Sequence, residues 1–326
     1  MKRIVLLFLA LSALTASAEN ASWLRYPSIS PDGNNVAFSY KGDIYIVDSE
    51  GGEARQLTSN PAYDYSPVWS PDGKTLAFAS DRYGNFDIFT IPVTGGVPFR
   101  VTTHSAKETP WTFTPDGKRL LFTARIQDPA ESAQFPKGTM TELYSVSVNG
   151  GRYEQVLATP AEEVSFIDKS GSFVYQDCKG GENIWRKHHT SSITRDIWIY
   201  DGTRHTKLTS FEGEDRSPRV SADGNIVYFM SERDGSFNIY SFPLNNPDNV
   251  SRVTSHKTHP VRFLTVSDDD VLCYGYDGDI YVKRGESASK KLKITVRSDK
   301  NDDNLAELSV SGGGDNDLSA DGNQIA

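Results

Sequence analysis

Short apolar runs alternate with polar, glycine-containing turns along nearly the whole chain. Runs such as Pro67-Val68-Trp69 and Thr75-Leu76-Ala77-Phe78 lie on either side of one turn, which is the pattern of two antiparallel strands. Helical repeats would instead place apolar residues at a period of about 3.6 residues. The pattern therefore predicts an all-β chain built from short strands.

A four-residue turn motif recurs and divides the chain into similar units. The strong copies begin at Ser30, Ser70 and Thr114 and read Ser-Pro-Asp-Gly or Thr-Pro-Asp-Gly. Weaker copies begin at Asp168, Ser221, Ser267 and Ser319. Proline at the second position fixes φ, and Asp-Gly supplies the bend and the left-handed residue. Consecutive copies start 40 to 54 residues apart, a period typical of propeller or solenoid arrays.

Each unit carries two further strand motifs after this hairpin. The third strand resembles Asp43-Ile44-Tyr45, with copies at residues 87–89, 142–144, 196–198, 238–240 and 279–281. The fourth ends in Leu-Thr or Val-Thr, as at Leu57-Thr58. Four short antiparallel strands per repeat form a propeller blade, and six complete sets are present. We predict a six-bladed β-propeller of four-stranded antiparallel blades over residues 19–298.

The first residues have the pattern of a secretory signal. A Lys-Arg pair at residues 2–3 precedes an apolar run over residues 4–14, and small residues follow up to Ala18. The run is too short to span a bilayer, which takes about 20 apolar residues. We predict a signal peptide over residues 1–18, cleaved after Ala18, and a periplasmic or secreted mature protein without a membrane span.

A partial repeat stands at the other end of the chain. Residues 299–317 are rich in Asp, Asn and Gly, as in a linker, and residues 318–326 begin a new hairpin. We interpret residues 299–326 as a linker and the first hairpin of a second, truncated propeller. A seventh blade of the first ring is the alternative. On the first interpretation the chain is the beginning of a longer protein.

Composition and charge narrow the function classes. Lys and Arg number 34 against 43 Asp and Glu, and the formal net charge of −9 becomes −11 without the two basic residues of the signal. Because an acidic chain lacks the basic footprint for phosphate backbones, no nucleic-acid partner is expected. Cys178 and Cys273 fall in blades 4 and 6, which are not neighbours, so we expect two buried free thiols.

Strand order predicts which face of the propeller carries function. The first strand of each blade lines the axis and ends at the Pro-Asp-Gly turn. Loops between second and third strands therefore lie on the opposite face, here called the loop face. Counting back six residues from the turn starts gives four acids, Asp64, Glu108, Glu162 and Asp215. They are candidate channel-mouth acids that would attract a cation or a positively charged peptide end. The favoured alternative is that each acid caps a neighbouring loop.

Two blades carry long insertions on the loop face, over residues 126–139 and 179–194. Long loops on a rigid scaffold commonly carry binding, although tolerated insertion explains them equally well. The second contains a candidate binding loop, Arg186-Lys187-His188-His189. Its histidines lack a second pair of ligands at useful spacing, so no metal site is expected. Hydrolase, phosphate-loop and dinucleotide motifs are absent, and we expect neither catalytic residues nor a cofactor in this chain.

The repeat pattern resembles that of TolB-type propellers, and three longer stretches narrow the resemblance. They cover residues 23–27, residues 180–192 continuing through 194–198, and residues 257–263. Together they resemble the amino-terminal propeller of tricorn-like serine peptidases over nearly all the mature chain. In that family a six-bladed propeller precedes a seven-bladed one, a PDZ-like module and a serine-peptidase core. The founding members are cytosolic, so the signal segment departs from the family pattern.

The resemblance implies a function for the whole protein. This chain would be non-catalytic and would gate or channel peptides for an exported serine peptidase, whose catalytic residues lie beyond Ala326. Its partners would be peptides or unfolded polypeptide and the remaining domains of the parent chain, with homo-oligomerisation as a further expectation. Two alternatives stay open: a TolB-like periplasmic protein-binding scaffold, and the propeller of a prolyl-oligopeptidase-type hydrolase.

Overall fold

The structure is a computed structural model that describes residues 19–126, 140–181, 186 and 188–297. Across these residues the chain forms 26 strands and no helix. The strands build six blades in chain order, each with antiparallel neighbours. The predicted six-bladed, all-β propeller is therefore confirmed. The predicted signal peptide and the predicted second hairpin lie outside the described residues.

The strand bounds follow the chain. Strand β1 (Glu19–Asn20) precedes the first blade. Blade 1 contains β2 (Arg25–Ile29), β3 (Asn35–Tyr40), β4 (Asp43–Asp48) and β5 (Gly52–Gln56). Blade 2 contains β6 (Asp64–Trp69), β7 (Thr75–Ser80), β8 (Asp87–Pro92) and β9 (Phe99–Arg100). Blade 3 contains β10 (Thr109–Phe113), β11 (Arg119–Ala124), β12 (Glu142–Ser147) and β13 (Glu154–Leu157).

The second half of the ring repeats this order. Blade 4 contains β14 (Ala161–Phe166), β15 (Phe173–Asp177), β16 (Ile197–Tyr200) and β17 (His205–Lys207). Blade 5 contains β18 (Asp215–Val220), β19 (Ile226–Ser231), β20 (Asn238–Pro243) and β21 (Ser251–Arg252). Blade 6 contains β22 (Arg262–Val266), β23 (Leu272–Tyr276), β24 (Asp279–Lys283) and β25 (Lys290–Lys291). Strand β26 (Ile294–Val296) follows the last blade.

The hydrophobic core lies between the blades. Six clusters of buried side chains are present among the described residues, one for each pair of adjacent blades. Between blades 1 and 2, for example, Ile44 and Leu57 pack with Phe78 and Phe89. The cluster between blades 6 and 1 closes the ring. Each blade is buried on both faces. Residues at both odd and even positions of its strands are therefore mostly apolar.

The recurrent turn motif builds the first hairpin of the blade. In blade 1 the Ser30 hydroxyl donates to Asp32, while the Asn35 backbone N–H donates to Ser30 Oγ at 2.9 Å. Gly33 has a φ of 69°, the left-handed region that glycine adopts without strain. Blades 2, 3 and 5 repeat the same hydroxyl–carboxylate contact. Bonds from the Ser30 hydroxyl and the Asn34 backbone N–H hold the pKa of Asp32 below its usual range, so the turn stays anionic in mildly acidic solution.

The Leu-Thr motif ties the fourth strand to the third. In blade 2 the Ile88 backbone N–H donates to Thr102 Oγ1 at 2.8 Å, and the pair Ile44 and Thr58 does the same in blade 1 at 2.9 Å. Blades 5 and 4 repeat the bond between the threonine and the isoleucine of the Asp-Ile-Tyr motif. The Asp-Ile-Tyr motif and the Leu-Thr motif therefore form one hydrogen bond together. This bond holds the fourth strand at the outer edge of the blade.

Blade 1 has two more strands than the four predicted. Strand β26 pairs with β5 in parallel, with Ile294 opposite Gly52, and β1 pairs with β26 in antiparallel fashion. Ile294 and Val296 are buried in the cluster that joins blades 6 and 1. Both ends of the ring therefore meet on the outer edge of blade 1, and we call β1 and β26 together the clasp.

The Lys293 backbone, immediately before β26, leaves no room for a side chain at Gly51. A Cβ atom there would lie 2.8 Å from the Lys293 carbonyl oxygen, whereas one at Gly52 would meet nothing within 4 Å. Both glycines have positive φ, so alanine is strained at either position. We expect Gly51→Ala to lower the free energy of unfolding by about 1–2 kcal/mol more than Gly52→Ala, measured by urea denaturation. Equal losses would show that the Lys293 backbone does not restrict position 51.

The two cysteines are free and buried, as predicted. Burial raises the pKa of both thiols, which keeps them protonated and unreactive at neutral pH. No helix among the described residues is long and apolar enough to cross a membrane.

Candidate functional site: the channel mouth

The first strands of the six blades surround the axis, and their side chains meet from blade to blade. The ring centroids of Tyr26 in blade 1 and Phe263 in blade 6 are 4.5 Å apart. Tyr65 in blade 2 lies 3.3 Å from the hydroxyl of Thr109 in blade 3, measured between the two oxygen atoms. These strands begin at the loop face, so their first residues form the rim of the axial channel. We call this rim the channel mouth.

A bulge near the start of each first strand aims its side chains. In five blades one residue of the bulge has a left-handed backbone conformation, with φ between 51° and 58°. These residues are Tyr26, Ser66, Glu163, Ser217 and Phe263. The pairing register shifts around each of these residues. In blade 3 the equivalent residue is Pro110, whose ring holds φ near −65°, and the irregularity lies between Pro110 and Thr112 instead. Such bulges commonly redirect a side chain.

One side of the channel mouth is aromatic. Tyr26 packs against Phe263 and, at 5.3 Å between centroids, against Tyr65. Tyr65 in turn lies 5.1 Å from Phe86 and 6.0 Å from Tyr63, which is 42 % exposed. We call these five residues of blades 6, 1 and 2 the aromatic arc. Tyr65 is buried within it, whereas Tyr63 is exposed and the other three rings are partly exposed, so the arc offers apolar ring surface at the rim.

The aromatic arc carries one cation and faces an acid. Lys107 Nζ lies 5.4 Å from the ring centroid of Tyr65 and 5.2 Å from that of Phe86, within cation–π range. Burial raises the pKa of Tyr26 to about 12, with smaller contributions from the neighbouring tyrosines and from Glu163. Glu163 belongs to blade 4, which lies opposite blade 1 in the ring.

The other side of the channel mouth is charged. Arg195 Nη1 lies 3.7 Å from Glu214 Oε1, and Arg195 Nε lies 3.9 Å from Glu162 Oε2. Arg216 Nε donates to Glu214 Oε2 at 2.8 Å, and Arg262 follows on the next blade. We call these five residues of blades 4 to 6 the charged arc; Arg195, Glu214 and Arg216 are buried in it, whereas Glu162 and Arg262 are partly exposed. Burial acts to raise the pKa of Glu214, but the bond and charge of Arg216 and the charge of Arg195 hold it below its usual range.

Two of the four predicted channel-mouth acids lie inside their blades. Asp64 is completely buried, and Arg82 Nη2 donates to its two carboxylate oxygens at 3.0 and 2.9 Å. Asp215 is equally buried, and Arg233 Nη2 lies 3.1 Å from each of its oxygens. Both arginines come from the loop between second and third strands of the same blade. These acids hold that loop in place and present no free charge to the channel.

The other two predicted acids also differ from the expected ring. Glu108 is completely buried and accepts a bond from the Thr102 hydroxyl, and burial raises its pKa to about 8. Glu162 does reach the channel mouth, where Gln176 Nε2 donates to it at 3.1 Å. It stands one residue further along its strand than the other three, because the blade 4 turn begins at Ile167 and not at Asp168. Of the four acids, three are therefore completely buried and Glu162 is partly exposed.

The residues that do form the rim stand one position later in sequence. Counting back five residues from the turn starts, with Ile167 for blade 4, gives one residue in each blade. They are Arg25, Tyr65, Thr109, Glu162, Arg216 and Arg262. The same repeat counting would have found them, but strand periodicity alone does not say which of two neighbouring positions faces the axis.

The predicted binding loop is only partly described. Arg186 is exposed, whereas Lys187 lies outside the described residues. The His188 backbone N–H donates to Glu232 Oε2 at 2.7 Å, which brings this loop of blade 4 onto blade 5. His189 is buried, and its Nε2 lies 2.7 Å from Ser191 Oγ. Among the described residues, no group of three or more His, Cys, Asp or Glu side chains is arranged to hold a metal ion.

Solved structures of other proteins have folds similar to this propeller. Its fold is similar to that of the tricorn protease, with a TM-score of 0.70 and 24 % identity, over 83 % of this chain and 26 % of that one. It is also similar to TolB from Acinetobacter baumannii, with a TM-score of 0.59 and 17 % identity, over 84 % of this chain and 65 % of that one. At these identities the likeness concerns the fold alone.

Sequence comparisons match shorter segments and one whole domain. The chain is 47 % identical over 55 residues to the uncharacterized peptidase YuxL of Bacillus subtilis (strain 168), covering 15 % of this chain and 8 % of that protein. It is 45 % identical over 49 residues to a TolB homolog of Chlorobium chlorochromatii (strain CaD3), covering 14 % of this chain and 11 % of that protein. The matched segments thus span about a tenth of these relatives.

The family described as the tricorn protease N-terminal beta propeller domain matches residues 21–290. The chain therefore belongs to the family of tricorn protease N-terminal β-propeller domains.

Proposed function

We propose that the channel mouth binds extended polypeptide, and that this propeller gates peptides for an exported serine peptidase. The observation that carries the proposal is that the aromatic arc and the charged arc lie side by side on the first strands around the axis and meet on blade 6, where Arg262 precedes Phe263. Rings such as those of Tyr26 and Tyr63 can pack against apolar side chains, while Arg262 and Glu162 can meet polar ones. A peptide presents both kinds of group within a few ångströms, so a mixed rim fits it better than a uniformly apolar or charged rim.

Family membership supports the peptidase part of the proposal. The family takes its description from a protease, and one matched relative is described as a peptidase. The propeller matches 26 % of the tricorn protease chain, so catalysis by a parent protein would require residues that this propeller does not supply. The proposed export depends on the predicted signal peptide over residues 1–18.

A TolB-like protein-binding scaffold is the second candidate, because curated TolB homologs match the repeats. The two candidates use the same channel mouth and differ in what accompanies the propeller. A peptidase core encoded in the same open reading frame would establish the first candidate. A protein whose reading frame adds no catalytic domain would favour the second.

Removing one ring of the aromatic arc should weaken peptide binding. Ser66 and Ser217 occupy the same left-handed bulge position as Tyr26, so Tyr26→Ser keeps a residue that this position already accepts. We expect it to weaken binding of an unstructured peptide rich in Phe, Leu and Asp about tenfold, measured by fluorescence anisotropy, since central aromatic anchors often contribute that much.

Tyr83→Ser is the matched control for this experiment. Tyr83 is 63 % exposed and stacks on Phe89, outside the aromatic arc. We expect its loss to leave peptide affinity unchanged. Equal affinities for the protein and both variants would refute binding at the channel mouth.

A further inference from the structure

Trp23 combines a strained backbone with an exposed side chain. Its φ of 65° lies in the left-handed region, which is unfavourable for any residue with a Cβ atom. The Leu24 backbone N–H donates to the Gly278 carbonyl oxygen at 2.9 Å and holds the chain in this conformation. Trp23 is nevertheless 74 % exposed, more than any other aromatic residue that the structure describes. Backbone strain at a ring that the fold leaves mostly in solvent indicates a role outside the fold.

Trp23 and Tyr63 occupy equivalent places on neighbouring blades, each two positions before the rim residue of its blade. Each ring lies on a glycine. A Cβ atom at Gly278 would lie 3.5 Å from Trp23 Cε3, and one at Gly42 would lie 3.4 Å from Tyr63 Cδ2. These glycines belong to two-residue turns between second and third strands, in which both residues have positive φ. Both rings therefore stand on the loop face, and we call Trp23 and Tyr63 the ring pair.

The ring pair adjoins the aromatic arc on the same blades. Tyr63 already belongs to the arc, and its ring also meets Phe86 edge to face, at 6.5 Å between centroids. Trp23 precedes Tyr26 by three residues, and both residues have a left-handed backbone conformation. The most exposed rings of blades 1 and 2 on the loop face are thus continuous in sequence with the partly exposed rings of the rim.

The exposed area of the ring pair fits a single extended chain. An aromatic side chain buries about 150–250 Å² when fully covered, so rings that are 74 % and 42 % exposed present less than about 300 Å² together. A stable interface between folded proteins buries about 800 Å² on each partner. The ring pair is therefore too small to hold a folded partner or a second copy of the chain, whereas it can cover one or two side chains of a peptide.

We propose that the ring pair is the entry contact of the channel mouth, where aromatic or large aliphatic side chains of an extended polypeptide are captured at the loop face. The inference rests on the proposed peptide binding and adds the class of side chain recognised and the face that recognises it. Neither ring is charged, so capture depends on apolar side chains and not on the ends of the peptide. Trp and Tyr suit such a contact because they supply large, rigid surfaces at a small cost in conformational entropy.

Trp23→Gly separates binding from folding, because glycine adopts a φ of 65° without strain. The probe is a peptide blocked at both ends, with three Phe residues in a Gly-Ser background. We expect the variant to weaken its binding about tenfold in fluorescence anisotropy, while the midpoint of urea denaturation stays the same or rises. Trp23→Tyr keeps a ring and should retain most of the affinity. Unchanged affinity in Trp23→Gly would overturn the proposal, and a lower midpoint beside it would assign Trp23 to the fold.

Phe99→Ser is the matched control on the opposite face. Phe99 is 50 % exposed, and its ring lies 3.7 Å from the position of a Cβ atom at Gly150, between third and fourth strands of blade 3. We expect peptide affinity to be unchanged. A loss equal to that of Trp23→Gly would show that any exposed ring binds the peptide, which contradicts a contact specific to the loop face.

Two further probes define the ligand class. The same peptide with Asn in place of Phe should bind at least tenfold more weakly to the unmodified protein, and equal binding of the two peptides would overturn apolar capture. Phosphatidylcholine vesicles test a lipid surface as the occupant. Binding to vesicles that Trp23→Gly abolishes, with peptide affinity unaffected, would assign the ring pair to lipid and overturn the proposal.

The outcomes separate this inference from the proposed function. If Tyr26→Ser weakens binding of the Phe peptide and Trp23→Gly does not, peptide binding at the channel mouth stands and the entry contact is wrong. If the Phe peptide does not bind to the unmodified protein, the proposed function and this inference both fail.

Discussion

Replacing Arg233 by methionine is expected to lower the free energy of unfolding by about 3–5 kcal/mol, the usual cost of removing one partner from a buried ion pair. The variant leaves the Asp215 carboxylate completely buried without its counter-charge. It also removes the guanidinium from the rings of Phe229 and Tyr240, each 5.2 Å away. Methionine keeps most of the side-chain volume, so loss of charge rather than a cavity dominates. Urea denaturation at neutral pH measures the change.

Two further variants are compared with Arg233→Met, one in a second buried ion pair and one at a surface residue. Arg82 and Asp64 form the same contact in blade 2, and Arg82→Met should cost a similar amount. Arg204→Met should cost less than about 0.5 kcal/mol, because exposed positions away from such contacts contribute little. Since an uncompensated carboxylate can take up a proton, the loss for Arg233→Met should shrink as pH falls. A loss below about 1 kcal/mol at neutral pH would mean that the acid is not a stabilising partner.

The fold followed from the sequence because each repeat motif encodes a local contact. Ser30 and Asp32 bond within one turn, and Ile88 and Thr102 bond between neighbouring strands of one blade. Such contacts recur wherever the motif recurs, so counting motifs counts blades. Where the motif is weak, the register moved by one residue, as at Ile167.

The candidate site was harder to predict because it depends on side-chain direction. Asp64 and Tyr65 are neighbours on one strand and both are buried, yet Asp64 pairs with Arg82 inside its blade whereas Tyr65 packs on Tyr26 of blade 1. One pattern in the sequence did indicate a structural role for Asp64. Its partner Arg82 lies 18 residues later, the same separation as between Asp215 and Arg233. Repeated acid–arginine spacing within blades indicates a pair, not a binding ring.

No comparable sequence pattern predicted the clasp. Its strands have two and three residues, and β26 pairs with a strand some 240 residues earlier in the chain. Strands this short carry little periodicity, and pairing over such a separation leaves no local pattern. The buried positions Ile294 and Val296 are recognisable only once blades 6 and 1 are known to be adjacent.

Neutralising Glu108 is expected to stabilise the protein in mildly alkaline solution. Its pKa of about 8 lies above the ordinary value of 4.5, because burial outweighs the Thr102 hydrogen bond. The folded state therefore holds a proton that the unfolded state has lost between these pH values. Stability contributed by this group is complete below pH 4.5 and is lost as pH rises to about 8.

The size of the effect follows from the two pKa values. One pKa unit corresponds to about 1.4 kcal/mol, so the difference amounts to about 4–5 kcal/mol. We expect Glu108→Gln to equal the unmodified protein near pH 5 and to exceed its free energy of unfolding by about 4 kcal/mol at pH 9, since glutamine stays neutral. Glu154→Gln, at a side chain 71 % exposed in the same blade, should show no such divergence. Parallel stability curves for Glu108→Gln and the unmodified protein across this range would show that Glu108 ionises freely in the folded state.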